Sequence, residues 1–255
     1  MSKFTDKLQQ IYQGGAAPSI GFRKPTDEGG KQLLAIVANL TRTKATKTKD
    51  ITNNINAGIV SSESFDAESF KQLASTMGDV PLGLSLESAD PGDISKFIDS
   101  GCDFIVFDLK TPLAVIKQEG AGKILKVEPS LDPGLARTIN ELQLPIDGVL
   151  VPSEESSVTI EHLLICQRFA DLLGKPLLTT INSLLTSEEL SSLYEARVNG
   201  LILPEGLPVK TFVELKNKIG SLPKSIRRKS EGTALLPRLG GEPEAAAEEE
   251  EEDFE

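Results

Sequence analysis

Short apolar runs alternate with amphipathic helical patterns along the chain from residue 33 onward. The runs have the length of β-strands, and successive runs begin about 20–30 residues apart, which is the length of one βα unit. Eight runs are present, at residues 33–39, 57–61, 82–87, 104–110, 124–128, 148–153, 177–182 and 200–205. They are continuously apolar rather than alternating, which is typical of strands in a parallel sheet covered on both faces.

Helical patterns separate these runs. Residues 66–77 and 159–173 repeat apolar side chains at helical spacing, and Gly174 with Pro176 marks the end of the second pattern. Thr186 followed by Glu189 matches a capping box at the start of a further helix. Eight βα units predict an α/β fold, a single (β/α)8 barrel of the TIM type, and the alternative is an open, doubly wound sheet.

The two ends of the chain depart from this repeat. We predict an N-terminal helix and linker at 1–30, the barrel at 31–222, and a tail at 223–255. The helix is expected over residues 3–13, where apolar side chains recur on one side. The tail is first basic, then carries Leu235, Leu236 and Leu239, and is acidic from residue 242, so we expect it to be disordered.

The net charge of −11 comes from 27 bases and 38 acids, and nine of the acids lie in residues 241–255. Without that acidic run, the chain is nearly neutral, with 27 bases against 29 acids. We expect no nucleic-acid partner, because proteins that bind phosphate backbones cluster Lys and Arg. The apolar runs are too short to span a membrane and the N-terminus is too polar for a secretory signal, so we expect a cytoplasmic protein without membrane attachment.

The chain contains one histidine, His162, and two cysteines, Cys102 and Cys166. These three residues are too few and too far apart in sequence for a usual His/Cys zinc site, so no metal ligands are predicted among them. Both cysteines lie in apolar stretches, which indicates free, buried thiols.

Catalytic residues of (β/α)8 barrels lie at the carboxyl ends of the strands. Side chains alternate along a strand, so Asp108 and Lys110 share a face with Phe104 and Val106, whereas the opposite face is apolar. If the polar face points inward, charged residues of neighbouring strands converge. The predicted catalytic residues are Asp108, Lys110, Lys126 and Glu128. The predicted substrate-binding residues are Asn39, Ser85, Glu87, Ser153, Thr180, Asn182 and Glu205.

Lysines among carboxylates suit acid–base or imine chemistry, and the alternative is a structural Lys–carboxylate pair that fills the mouth. Glu87 and Glu128 offer oxygen ligands for Mg²⁺, the one cofactor considered. Arg42 and Lys44 follow the first strand and are candidates for anion binding, with a solvated helix face as the alternative. No sequence motif of a nucleotide-binding loop, a serine hydrolase or a zinc protease occurs.

Residues 101–108 (GCDFIVFD) and 198–203 (VNGLIL) resemble units of the ribulose-phosphate-binding barrels, which implies the barrel fold over about residues 33–220 and no particular reaction. Asp108-Leu109-Lys110 is similar to the strand motif of the orotidine-monophosphate decarboxylase group. Leu113 stands where that group requires another Asp, so its activity is not implied. The chain also resembles barrel-like proteins of unknown function that end in a similar leucine-containing, acidic tail.

Two kinds of function follow as hypotheses. The first is a lyase- or isomerase-like enzyme that acts on a small polar metabolite at the strand carboxyl ends. The second is a non-catalytic scaffold or adaptor that docks protein partners through its termini, with Leu235, Leu236 and Leu239 as the docking segment. The oligomeric state is left open.

Overall fold

Eight parallel strands close into a barrel in the computed structural model, which describes residues 2–14, 32–42, 45–87 and 91–223. Each strand pairs in parallel with the next along the chain, and β8 pairs with β1. The strands are β1 Ala35–Asn39, β2 Ala57–Ser61, β3 Leu82–Ser85, β4 Phe104–Phe107, β5 Gly122–Lys126, β6 Gly148–Val151, β7 Leu177–Thr180 and β8 Gly200–Leu203. The predicted barrel is therefore confirmed.

A helix follows every strand, and one further helix precedes β1. The helices are α1 Lys3–Tyr12, α2 Ala45–Thr52, α3 Ala67–Met77, α4 Pro91–Asp99, α5 Leu113–Ile116, α6 Pro133–Glu141, α7 Ile160–Leu173, α8 Ser187–Glu195 and α9 Val209–Gly220. The predicted tail at 223–255, with its leucine segment, lies almost wholly outside the described residues, as does Lys44.

Local sequence signals set several helix ends. The Thr186 hydroxyl accepts from the Glu189 amide and the Glu189 carboxylate accepts from the Thr186 amide, which confirms the predicted capping box of α8. Gly174 ends α7 in the left-handed conformation at φ 56°, a conformation that glycine adopts without the steric cost of a Cβ atom.

Side-chain alternation separates two apolar layers. Phe104, Val106 and Ile124 belong to the cluster inside the barrel, whereas their neighbours Ile105 and Leu125 belong to the cluster between sheet and helices. The inward face predicted for these strands is thus the observed one. Leu109 lies on the apolar face that the sequence predicted opposite Asp108 and Lys110. It is nevertheless 55% exposed, because β4 ends at Phe107 and the chain turns away from the outer layer.

The amino-terminal end of the barrel is lined by small residues, which leave room for α1. Gly122 is the clearest case, since a Cβ there would lie 2.4 Å from Cγ2 of Thr5 on α1. Phe4 and Leu8 of α1 are fully buried in the interior cluster, and the ring centroids of Phe4 and Phe104 are 4.5 Å apart. The apolar face of α1 therefore closes this end of the barrel.

Asp103, the residue before β4, fixes the start of α1. Its carboxylate accepts hydrogen bonds from the Ser2 hydroxyl at 2.7 Å and from the Lys3 and Phe4 amides at 2.8 and 2.9 Å. The first amides of a helix have no partner within the helix, and a carboxylate also interacts favourably with the helix dipole.

The residues that precede β2, β6 and β8 make a related contact. Asn56, Asp147 and Asn199 accept hydrogen bonds from the backbone amides of Ile36, Lys123 and Leu177, respectively, at the beginning of the preceding strand. Asp103 occupies the equivalent position before β4, but its carboxylate binds α1 instead. The polar residue before β4 therefore holds the N-terminal helix, whereas the corresponding residues before β2, β6 and β8 hold the preceding strand.

Candidate functional site

Lys126 lies at the carboxyl end of β5 and on the inward face of the barrel. Its register partner is Leu150, and the residue two positions earlier, Ile124, is fully buried in the interior cluster. The side chain of Lys126 itself is exposed, so the lysine stands at the mouth, above an apolar floor. Side-chain alternation continues past the strand end to Glu128, which is also exposed, while Val127 between them is buried in the outer layer.

Asp108 is half-buried just beyond the end of β4. Its Oδ1 atom accepts from the Lys110 amide at 2.8 Å and from the Thr111 hydroxyl at 3.1 Å, which shapes the turn after the strand. Val106 pairs with Ile124, so the same register extended by two residues puts Asp108 level with Lys126. Lys110 is exposed and joins this turn through its backbone.

A hydrogen-bonded network joins the ends of β1, β2 and β3. The Asn39 amide oxygen accepts from the Thr41 hydroxyl at 2.7 Å, and the Thr41 oxygen accepts from the Ser61 amide at 3.1 Å. The Ser61 hydroxyl then donates to Oε1 of Glu87 at 3.0 Å. Glu87 is exposed, whereas Ser85, two residues earlier on the same face, is half-buried. This side of the mouth presents a carboxylate that is oriented by a hydroxyl.

On the opposite side of the mouth, uncharged polar groups form hydrogen bonds between the ends of β6 and β7. The Thr180 hydroxyl accepts from the Ser153 amide at 2.7 Å, and it lies 3.0 Å from the Ser153 carbonyl oxygen. The Asn182 side-chain amide donates to the carbonyls of Ser153 and Glu155 at 3.0 and 3.2 Å. These bonds hold the loops after β6 and β7 together.

Arg42 and Glu205 form an ion pair at 3.3 Å between the loops that follow β1 and β8. The Arg42 side chain is 83% exposed, so solvent weakens the attraction and the pair contributes little to stability. Arg42 was predicted to bind anions, and in the structure its guanidinium group already faces a carboxylate.

The described residues contain three ion pairs, and none of them joins Lys110 or Lys126 to a carboxylate within 4.0 Å. The structural lysine–carboxylate pair that was the alternative for these residues is therefore not formed in the part of the chain that is described. Within those same ranges, no group of three or more His, Cys, Asp or Glu side chains is placed to hold a metal ion. The expectation of Mg²⁺ binding stays a prediction.

A buried polar contact between α7 and β7 was not predicted. His162 is 6% exposed, and its Nε2 lies 2.8 Å from the hydroxyl oxygen of Thr179, which donates to the Val151 carbonyl. The imidazole Nε2–H is then the donor to Thr179, and burial lowers the pKa of the histidine. The sequence feature that could have indicated this contact is Thr179, a hydroxyl-bearing residue on the helix-facing side of the buried strand β7.

Both thiols are free and buried, as the sequence predicted. Burial raises the pKa of Cys102 and of Cys166 to about 12, so neither is a thiolate near neutral pH. Neither cysteine is therefore a candidate nucleophile.

A closed barrel of eight parallel strands, each followed by a helix, defines the class of the protein as a (β/α)8 barrel. No protein-family model and no curated protein matches the sequence. None of the described helices combines the length and apolar character needed to cross a membrane.

Solved structures resemble the chain in fold. A variant of the tryptophan synthase alpha-subunit from Pyrococcus furiosus is 12% identical, with a TM-score of 0.56 over 74% of this chain and 96% of that one. A protein of Aquifex aeolicus VF5 is 13% identical, with a TM-score of 0.58 over 90% of this chain and 100% of that one. At such low identity the likeness shows the barrel fold alone.

Proposed function

We propose that the protein is an enzyme, lyase- or isomerase-like, that binds a small polar metabolite at the carboxyl ends of the strands. The observation that carries the proposal is Lys126, an inward lysine at the end of β5 that stands above apolar side chains and has no ion-pair partner among the described residues. An unpaired cation at the mouth of a barrel is available to a bound carboxylate or carbonyl oxygen.

The neighbouring groups fit proton transfer next to a carbonyl. Glu87, held by the Ser61 hydroxyl, and Asp108, level with Lys126, are acceptors for a substrate proton, and Lys126 stabilises the oxyanion that forms. Lys110 and Glu128 lie farther out and would contact substituents of the substrate. A tryptophan synthase subunit shares this fold, which supports an enzymatic role without identifying a reaction.

Polar groups on both sides of the mouth would orient the substrate. Asn39 and Ser85 lie at the ends of β1 and β3, and Thr180 at the end of β7. Their hydroxyl and amide groups recognise hydroxyl or amide substituents through hydrogen bonds. Mg²⁺, if it binds, would use the oxygens of Glu87 and Glu128, and Arg42 would have to leave Glu205 before it could hold an anionic group.

A binding experiment tests the proposal. The full chain, labelled with ¹⁵N, is titrated with a panel of small hydroxy acids, keto acids and aldehydes, with and without Mg²⁺, and amide shifts are mapped on the sequence. We expect at least one compound to shift amides next to Glu87, Asp108 and Lys126, and Lys126→Met to weaken it at least tenfold. Lys71→Met on the exposed face of α3 is the matched control and should not change binding. A panel without any shift at the mouth would contradict an enzymatic site there.

A non-catalytic adaptor is the second candidate, and exposed apolar residues favour it. Ile160 and Leu164 lie one turn apart on α7 and are 77% and 65% exposed. Such side chains together with Leu235, Leu236 and Leu239 would bind protein partners. The test is affinity capture with the full chain, with residues 223–255 deleted, and with Ile160→Glu and Leu164→Glu combined. Partners retained by both altered proteins would exclude this role.

A further inference from the structure

A cleft of about 370 Å³ lies outside the barrel, beside the mouth. It is enclosed by the loop between β2 and α3, by the outer face of β3, and by α4. Phe65 and Asp66 line it from the loop, Ala67 from the first turn of α3, and Ile94 and Phe97 from α4. The volume falls within the range of about 300–1,000 Å³ that is usual for small-molecule sites.

The floor of the cleft is apolar and rigid. Leu84 and Leu86 on the helix-facing side of β3, with Ile94 and Phe97 of α4, belong to the outer core and are less than 10% exposed. Phe97 is held in turn by an edge-to-face contact with Phe70 of α3 at 5.5 Å between ring centroids. An apolar ring would therefore meet side chains that are already fixed by packing, which lowers the entropic cost of binding.

The rim of the cleft is polar, with an excess of negative charge. Lys96 lies 2.8 Å from Asp93, so its charge is already balanced, and Asp66 is left without a cationic partner among the described ion pairs. Asp66 caps α3 by accepting from the Ser69 amide at 2.7 Å through one carboxylate oxygen. An ionised carboxylate has several acceptor sites, so Asp66 and Asp93 can still accept hydrogen bonds from a ligand N–H or O–H, whereas they repel an anion.

We infer that this cleft is a binding site for a neutral ring compound, of one or two fused rings, that carries an N–H or O–H donor. The ring rests on Leu86, Ile94 and Phe97, and the donor faces the Asp66 and Asp93 carboxylates at the rim. The site is separate from the mouth, because the described residues that line the cleft include none of those assigned to the substrate site. It therefore stands or fails independently of the proposed enzymatic function.

A single fluorescent reporter makes the site measurable, because the chain contains no tryptophan. Phe65 lines the cleft and is half-buried, so Phe65→Trp exchanges one ring for another and places the only indole at the site. Phenol and cyclohexanol are the neutral probes, and benzoate is the anionic counterpart of phenol. We expect the neutral probes to change the fluorescence with saturation at millimolar concentrations, and benzoate to bind at least tenfold more weakly.

A blocking variant and a matched control show where the probes bind. Ala67 lines the cleft at the first turn of α3, so Ala67→Phe in the reporter protein fills it and should weaken phenol binding at least tenfold. Gln72→Phe adds the same ring to the same helix at an exposed position outside the cleft, and should leave binding unchanged. Unsaturable responses, equal binding of benzoate, or equal losses in the two variants would each overturn the inference. Lys126→Met should have no effect on phenol binding, which separates this site from the mouth.

Discussion

Replacing Phe4 by alanine tests whether α1 is part of the barrel core. The Phe4 side chain is fully buried, and the centroid of its ring lies 4.5 Å from that of the Phe104 ring. Truncation of a buried phenylalanine costs about 3–5 kcal/mol, because apolar contacts are lost and a cavity remains. For a chain of this size, each kcal/mol lowers the melting temperature by about 2–4 °C. The expected decrease is therefore about 6–20 °C, measured by circular dichroism at 222 nm.

Gln10→Ala provides the matched control on the same helix. Gln10 is exposed, and alanine is at least as good a helix former, so this change should leave the melting temperature within about 2 °C. If Phe4→Ala behaved like Gln10→Ala, α1 would not contribute to the core, and the account of a helix that closes the barrel would be wrong.

Three further predictions concern buried or anchoring groups. Asp103→Asn should lower the free energy of unfolding by about 2–3 kcal/mol, because charge-assisted hydrogen bonds to the start of α1 are lost. Amide hydrogen exchange of residues 3–12 should accelerate, while that of β8 should not. Burial lowers the pKa of His162 below 6.5, so the unfolded chain binds more protons than the folded one; stability should fall as pH decreases from 7 to 5, and less so in His162→Gln. Cys102 and Cys166 should not react with a thiol reagent at pH 8 until the protein unfolds, since burial raises their pKa to about 12; rapid reaction of the folded protein would contradict their burial.

The repeat of apolar runs predicted the barrel because strand and helix periods are local properties of the sequence. All eight predicted runs overlap observed strands, and 57–61 coincides with β2. Several runs extended too far toward the carboxyl end, as in 104–110, where β4 stops at Phe107. The reason is that side chains continue to alternate beyond the last hydrogen bond of the sheet. The pattern therefore predicts Asp108 as part of the strand, although Asp108 forms the turn that follows it.

The helix over residues 3–13 was predicted, but its place was not. Its apolar face indicated that it would pack against something, yet only the folded barrel brings Asp103 and Gly122 next to it. The same holds for the contact between His162 and Thr179, which lie 17 residues apart in sequence. Contacts of this kind depend on how elements are arranged in three dimensions, and one sequence contains no periodic signal for them.

The mouth of the barrel was predicted in part. The inward direction of Lys126 and its neighbours followed from strand alternation, and the register supports it. The partners of the polar groups did not follow, because Glu87 bonds to Ser61 of the neighbouring strand and Arg42 pairs with Glu205 across the closure of the barrel. These pairings depend on register and loop shape.

A crystal structure of the full chain grown with the metabolite that shifts amides at the mouth tests the central claim most directly. The account predicts electron density for that compound with an oxygen atom within about 3 Å of the Lys126 ammonium group. An empty mouth in which Lys126 instead pairs with Asp108 or Glu87 would contradict a substrate site at the strand carboxyl ends.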